Sequence, residues 1–158
     1  MTETRWYREA VVSVMPDLMV FAKSRTPNSH LAEDLVQETI LRMFDLRRDL
    51  RRDEVRPYAF KVLRNLLMDH YRSDARVDHD QHDRFDSFED SYDQDSRYEL
   101  NRLIDTLRSF GKECQEVLSL AGIGHTQREM SKVLDKPMGT IGSLLQRCRM
   151  KLVEVLGL

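Results

Sequence analysis

The chain has 158 residues, 41% of them hydrophobic and 33% charged, with only 6 glycines and 4 prolines and a formal net charge of −2. That length suffices for one ordinary domain or two small ones, and the scarcity of glycine and proline favours an all-helical protein. No apolar run approaches the ~20 residues that span a bilayer, and the start, MTETRWYREA, lacks the basic-then-apolar order of a secretory signal, so no membrane insertion and a cytoplasmic location are expected.

Trp6, Ala10, Val11 and Val14 form a helical stripe that stops at Pro16. Proline suits the first turn of a new helix, so a second short helix is predicted there, carrying Leu18 and Phe21. Residues 24–30, SRTPNSH, read as a loop. In the following LAEDLVQETILRMFDLRRDL, Leu31, Leu35, Val36 or Ile40, and Met43 or Phe44 recur at three-to-four spacing. Glu33 and Asp34 are expected in the first turn of that helix, where the positive end of the helix dipole favours them. Residues 47–57, RRDLRRDEVRP, read as a charged loop, and Pro57 is expected to open a helix to about Tyr71. Its apolar face carries Ala59 or Phe60, Leu63, Leu66 and Leu67.

Residues 73–96 hold nine acidic residues against Arg76 and Arg84, a local charge of −7, and the rest of the chain is then +5. Rich in Asp and Ser and without helical period, this segment reads as a flexible acidic linker. His79 and His82 lie among its aspartates, but without an ordered scaffold no metal site is expected there. The linker separates a first block, residues 1–72, from a second, residues 97–158, with no internal repeat between them.

The second block is predicted to form helices over 98–107, 112–120, 126–134 and 139–156. Met130, Ser131, Leu134, Ile141, Leu145 and Cys148 space the last two helices across a turn at 136–138, a helix-turn-helix that ends in a basic helix. Gln146, Arg147, Arg149 and Lys151 project away from that seam, a presentation suited to a DNA major groove. Cys114 and Cys148 lie far apart in the sequence and suggest no disulfide framework; each is expected to pack as a small apolar residue. No nucleophile–base pair, phosphate loop or zinc-spaced cluster is present, so neither catalysis nor a cofactor or metal is expected.

Two polar surfaces stand out in the first block. Asp34, Gln37 and Glu38, three and four residues apart, share a helix face that suits cations of a partner helix or simply solvent. Residues 42–72 carry nine basic against five acidic side chains, which would neutralise phosphates without specifying sequence.

Three stretches together resemble one family. AEDLVQETILRMF (32–44), RPYAFKVLRNLLMDHYR (56–72) and HTQREMSKVLDKPMGTIGSLLQRCRMKL (125–152) are similar, in that order, to segments of the bacterial extracytoplasmic-function sigma factors, the smallest class of polymerase specificity subunits. The resemblance implies two small helical domains, sigma region two over 1–72 and the region-four helix-turn-helix over 97–158, joined by the acidic tether 73–96. It implies that Asp34, Leu35, Gln37, Glu38 and Leu41 dock on the clamp helices of the polymerase largest subunit. Arg48, Arg51, Arg52, Arg56, Tyr58, Lys61, Arg64 and Asn65 would then meet the minus-ten element. Asn65 matches an asparagine of the family that contacts the opened strand, and Tyr58 stands where tryptophan is usual.

For the minus-35 element the resemblance implies Gly139 and Thr140 at the entry of the recognition helix. Ser143, Gln146 and Arg147 would read the groove, with Arg149 and Lys151 on phosphates. The family usually has a basic residue at Gly142 and arginine at Leu144, so fewer DNA contacts are expected here; Asp135 stands where glycine is usual. Core RNA polymerase, promoter DNA and an anti-sigma factor are the implied partners. Two alternatives are a sigma-like decoy that sequesters an anti-sigma factor and a stand-alone helix-turn-helix regulator.

Overall fold

Eight helices and no strand make up the regular structure of the described residues, 2–46, 50–74 and 94–157, in a computed structural model of the chain. They are α1 (Thr2–Ser13), α2 (Met15–Arg25), α3 (Ser29–Asp45), α4 (Arg52–Asp74), α5 (Gln94–Ser109), α6 (Lys112–Gly122), α7 (Gln127–Leu134) and α8 (Met138–Leu156). Pro16 sits in the first turn of α2, where its missing N–H has no intrahelical acceptor to lose.

Three boundaries differ from the sequence expectation. The loop expected over 24–30 shortens to Thr26–Asn28, because the Asn28 side chain accepts from the Leu31 N–H at 3.1 Å and caps α3. Helix α3 therefore starts at Ser29, and Glu33 and Asp34 fall beyond its first turn. The third difference is at Pro57, which lies inside α4 rather than opening it. The Glu54 N–H bonds the Arg51 carbonyl at 2.9 Å, and Asp53 and Glu54 complement the N-terminal dipole, so the helix starts at Arg52. Of the acidic tether, residues 75–93 lie outside the described residues, as do His79 and His82; its two ends belong to α4 and α5.

In the first block Leu18, Phe21, Met43, Phe60, Leu63 and Leu67 are fully buried. Each such side chain contributes roughly 1.5–3 kcal/mol relative to exposure. Phe21 and Phe60 meet edge to face at 5.6 Å. In the second block Val117, Leu120, Met130, Val133, Ile141 and Leu145 fill the space between α6, α7 and α8. The methionines divide: Met43 and Met130 are buried, whereas Met15, Met138 and Met150 are exposed.

The two cores are continuous. Helix α4 lies along α7, and α2 packs on both α5 and α6, so buried residues of both blocks form one cluster. Nothing in the sequence periodicity announced this docking.

The cysteines depart from expectation. Cys114 on α6 and Cys148 on α8 form a disulfide with a Cα–Cα distance of 5.3 Å. They are 34 residues apart in sequence but adjacent in space because α6 and α8 pack face to face. Both remain buried, as expected of small apolar side chains.

Candidate polymerase and nucleic-acid interfaces

Helix α3 turns Val36, Thr39, Ile40 and Met43 into the core. The spacing that buries those residues leaves Asp34, Gln37, Glu38 and Leu41 exposed on the opposite face, with Leu41 59% accessible. Glu38 pairs with Arg42 one turn on, at 3.0 Å. Leu35 differs from the other four: it is half-buried and packs against the core. The result is a polar helical face with two carboxylates, Asp34 and Glu38, and one large apolar side chain at its end.

Helix α4 has two polar faces with different surroundings. Tyr58, Val62 and Asn65, at spacings of four and three, line a cleft of about 450 Å³ closed on the other side by Arg42, Asp45 and Leu46 at the end of α3. Tyr58 and Val62 are half-buried and Asn65 is exposed. An aromatic ring, an amide with both a donor and an acceptor, a guanidinium and a carboxylate thus share one opening. Arg51 and Arg52 flank the start of α4. Arg51 pairs with Glu54 at 2.8 Å, and the Arg52 guanidinium lies over the Trp6 ring, 5.3 Å from its centroid. Arg48 lies outside the described residues.

The other polar face of α4 meets the second block. Arg56 donates to the Ile123 carbonyl at 2.6 Å and lies 3.8 Å from Asp17. Lys61 pairs with Asp135 at 3.1 Å, and Arg64 with Glu116 at 2.5 Å. Three cations expected at DNA are thus engaged by side chains or backbone of the same chain. Glu116, 3% exposed, also pairs with Arg25 of α2 at 2.7 Å. Sequence reasoning missed Glu116 and Arg25, since a lone Glu on an amphipathic helix gives no sign of burial.

Beside that face, His125 is buried against Phe60, with ring centroids 4.4 Å apart. Burial, and secondarily the Arg56 charge, pushes its pKa down to about 4, so the ring is neutral near pH 7.

The helix-turn-helix is built from strong local signals. Thr126 accepts from the Glu129 N–H at 3.1 Å while Glu129 accepts from the Thr126 N–H at 3.0 Å, a capping box that starts α7. Asp135 ends α7 in left-handed backbone, and Pro137 precedes α8. Ile141, Leu144, Leu145 and Cys148 face inward. Gly139, Thr140, Ser143, Gln146, Arg147, Arg149 and Lys151 are all exposed on the remaining surface. The first turn of α8 has no acidic residue and its N-terminus no side-chain cap, which leaves the positive end of the helix dipole uncompensated by either. Leu144 is 4% exposed. It is therefore a core residue, and an arginine in its place would not simply add a groove contact.

Among the described residues no helix is long and apolar enough to cross a membrane, and no group of three or more His, Cys, Asp or Glu could hold a metal ion.

Comparison with known proteins finds chains similar in sequence and in fold. The family model for sigma-70 region 2 matches residues 10–77. The chain is 28% identical over 152 residues to the "ECF RNA polymerase sigma factor EcfG" of Rhodopseudomonas palustris (strain TIE-1), covering 94% of this chain and 84% of that protein. It is 40% identical over 58 residues to the "ECF RNA polymerase sigma factor SigM" of Bacillus subtilis (strain 168), covering 37% of this chain and 36% of that protein. Two solved structures share its fold. One is the sigma factor RpoE in complex with the anti-sigma factor NepR from Bartonella quintana, with a TM-score of 0.74 and 22% identity over 96% of this chain and 97% of that one. The other is CnrH in complex with the cytosolic domain of CnrY, with a TM-score of 0.72 and 23% identity over 97% of this chain and 88% of that one. Residues 10–77 thus match sigma-70 region 2, and over 94% of its length the chain is similar to an extracytoplasmic-function sigma factor.

Proposed function

We propose that this chain is an extracytoplasmic-function sigma factor that directs transcription initiation and uses three separate surfaces. The exposed face of α3, through Asp34, Gln37, Glu38 and Leu41 with Leu35 beneath, docks on the clamp helices of core RNA polymerase. The segment before α4 and α4 itself, with Arg48, Arg51, Arg52, Arg56, Tyr58, Lys61, Arg64 and Asn65, holds the minus-ten element as it opens. The exposed face of α8 lies on the minus-35 element, with Gly139 and Thr140 at a phosphate, Ser143, Gln146 and Arg147 toward base edges, and Arg149 and Lys151 on flanking phosphates. Residues 1–72 and 97–158 act as the two promoter-binding domains in the cytoplasm, and an anti-sigma factor controls them, a reading supported by the structural relative bound to the anti-sigma factor NepR.

The observation that carries the reading is the cleft between α3 and α4, which Tyr58 and Asn65 line together with the Arg42 guanidinium. Extruding a base costs a few kcal/mol, and stacking plus an amide contact in such a cleft would offset it. Loss of DNA contacts at Gly142 and Leu144 would favour the decoy alternative, and the burial of Leu144 weakens it.

Reconstituted transcription with core polymerase tests the scheme. Asn65→Ala is expected to lower open-complex formation at least tenfold while core affinity is kept. Asp34→Ala with Glu38→Ala is expected to lower core affinity itself. Absence of any core binding by the unaltered protein at moderate salt would defeat the proposal.

A further inference from the structure

The inner face of α4 has a second occupant. Glu116 places one carboxylate oxygen 2.7 Å from Arg25 and the other 2.5 Å from Arg64, with its side chain only 4% exposed. A carboxylate this deep is stable only while both guanidinium groups stay in place. Around it, Ser24 and Ser119 hydrogen-bond at 2.8 Å, again between α2 and α6, and Tyr71 of α4 donates to the Arg25 carbonyl. Farther along α4, Lys61 meets Asp135, and Arg56 meets the Ile123 carbonyl. The second block therefore presents α4 with a carboxylate, a second carboxylate and a carbonyl, at the cations that would otherwise face phosphate oxygens.

We propose that the second block is an intramolecular competitor of nucleic acid for α4, with Glu116 as the keystone of a latch that keeps the free sigma factor closed. This rests on the reading of α4 as a DNA face. Phosphate and Glu116 are alternative anions for Arg64, so strand binding and docking exclude each other at that residue. In the closed state the outer cations Arg51 and Arg52 and the α3–α4 cleft remain available. The apparent affinity for DNA is then the intrinsic affinity multiplied by the fraction of molecules that is open. Any partner that grips both blocks in the docked arrangement inhibits by deepening this equilibrium, and any surface that separates them activates.

The test uses the full-length chain, its Glu116→Gln variant and an Asp135→Gly variant. Gln keeps the shape of Glu but removes the charge. Gly suits the left-handed backbone at 135, where φ is 53°, and removes only the Lys61 contact, so both blocks keep their folds. Small-angle scattering reports docking, and a fluorescent mixed-sequence 20-nucleotide single strand at fixed salt reports access to α4. The latch predicts a larger radius of gyration and about tenfold tighter strand binding for Glu116→Gln, with a smaller change in the same direction for Asp135→Gly. Unchanged dimensions in both variants would overturn the latch. Expansion without tighter strand binding would overturn the competition. In that case Arg51→Ala with Arg52→Ala in the Glu116→Gln background identifies the cause: if strand binding is also insensitive to these outer cations, the assignment of α4 to DNA has failed; if it weakens, only the competition has.

Discussion

Asp135 occupies left-handed backbone, with φ 53° and ψ 45°, between α7 and α8. Such a conformation disfavours an L-residue by roughly 1–2 kcal/mol, less for Asp than for most, and glycine adopts it freely. Here the side chain reaches Lys61 of α4, a contact no glycine could make. Gly142 poses the opposite question. It lies in the middle of a helix with ordinary backbone, and a Cβ there would meet only the Gln127 side-chain oxygen at 3.6 Å, an ordinary van der Waals distance. No steric demand fixes glycine at 142. Gly142→Ala is therefore expected to stabilise the protein by about 0.5–1 kcal/mol through helix propensity, seen as a higher urea midpoint with an unchanged slope. A lower midpoint would show that the α7–α8 contact is tighter than this distance implies.

At the scale of elements, legibility followed the range of the interaction. Helices α6, α7 and α8 stand close to their predicted spans, because apolar period and turn residues are local signals. Boundaries failed where the choice between neighbouring polar residues as the cap decided them, as at Asn28 for α3. The exposed candidates on α3 and α8 were legible for the same reason, since three-to-four spacing assigns faces. What the sequence could not show is which helices touch: the disulfide between α6 and α8, the burial of Leu144, and the second face of α4 all depend on tertiary packing. The disulfide carries its own expectation. It closes a span of 34 residues across the helix-turn-helix, and a cross-link of that length stabilises by roughly 2–4 kcal/mol, mainly by restricting the unfolded chain. Adding a thiol reductant should lower the thermal midpoint of the wild type and leave a Cys114→Ala, Cys148→Ala double variant unmoved. Equal midpoints with and without reductant would mean that the bridge contributes nothing to stability.

For the whole molecule, the docking of the two blocks has a titratable group at its centre. His125 is buried where the α6–α7 turn meets α4, against Phe60 and 3.4 Å from an Arg56 nitrogen. Glu129 of α7 acts on it with the opposite charge, and Asp17 of α2 lies 3.8 Å from Arg56. Burial and then Arg56 hold its pKa near 4, against 6.5 for a free histidine. The folded form thus disfavours the imidazolium, and unfolding or undocking takes up a proton whenever the pH lies between those values. The histidine's contribution is fully present above pH 6.5 and is lost as pH falls toward 4. At about 1.4 kcal/mol per pH unit, the loss across that window is on the order of 2–3 kcal/mol. Urea unfolding between pH 7.5 and 4.5 should therefore show a steeper fall for the wild type than for His125→Gln, which keeps an acceptor for Arg56 but cannot ionise. Above pH 7 the two curves should run parallel. Carboxylates titrate in both proteins, so the difference between them isolates the histidine, and parallel curves over the whole range would mean that His125 does not report on docking.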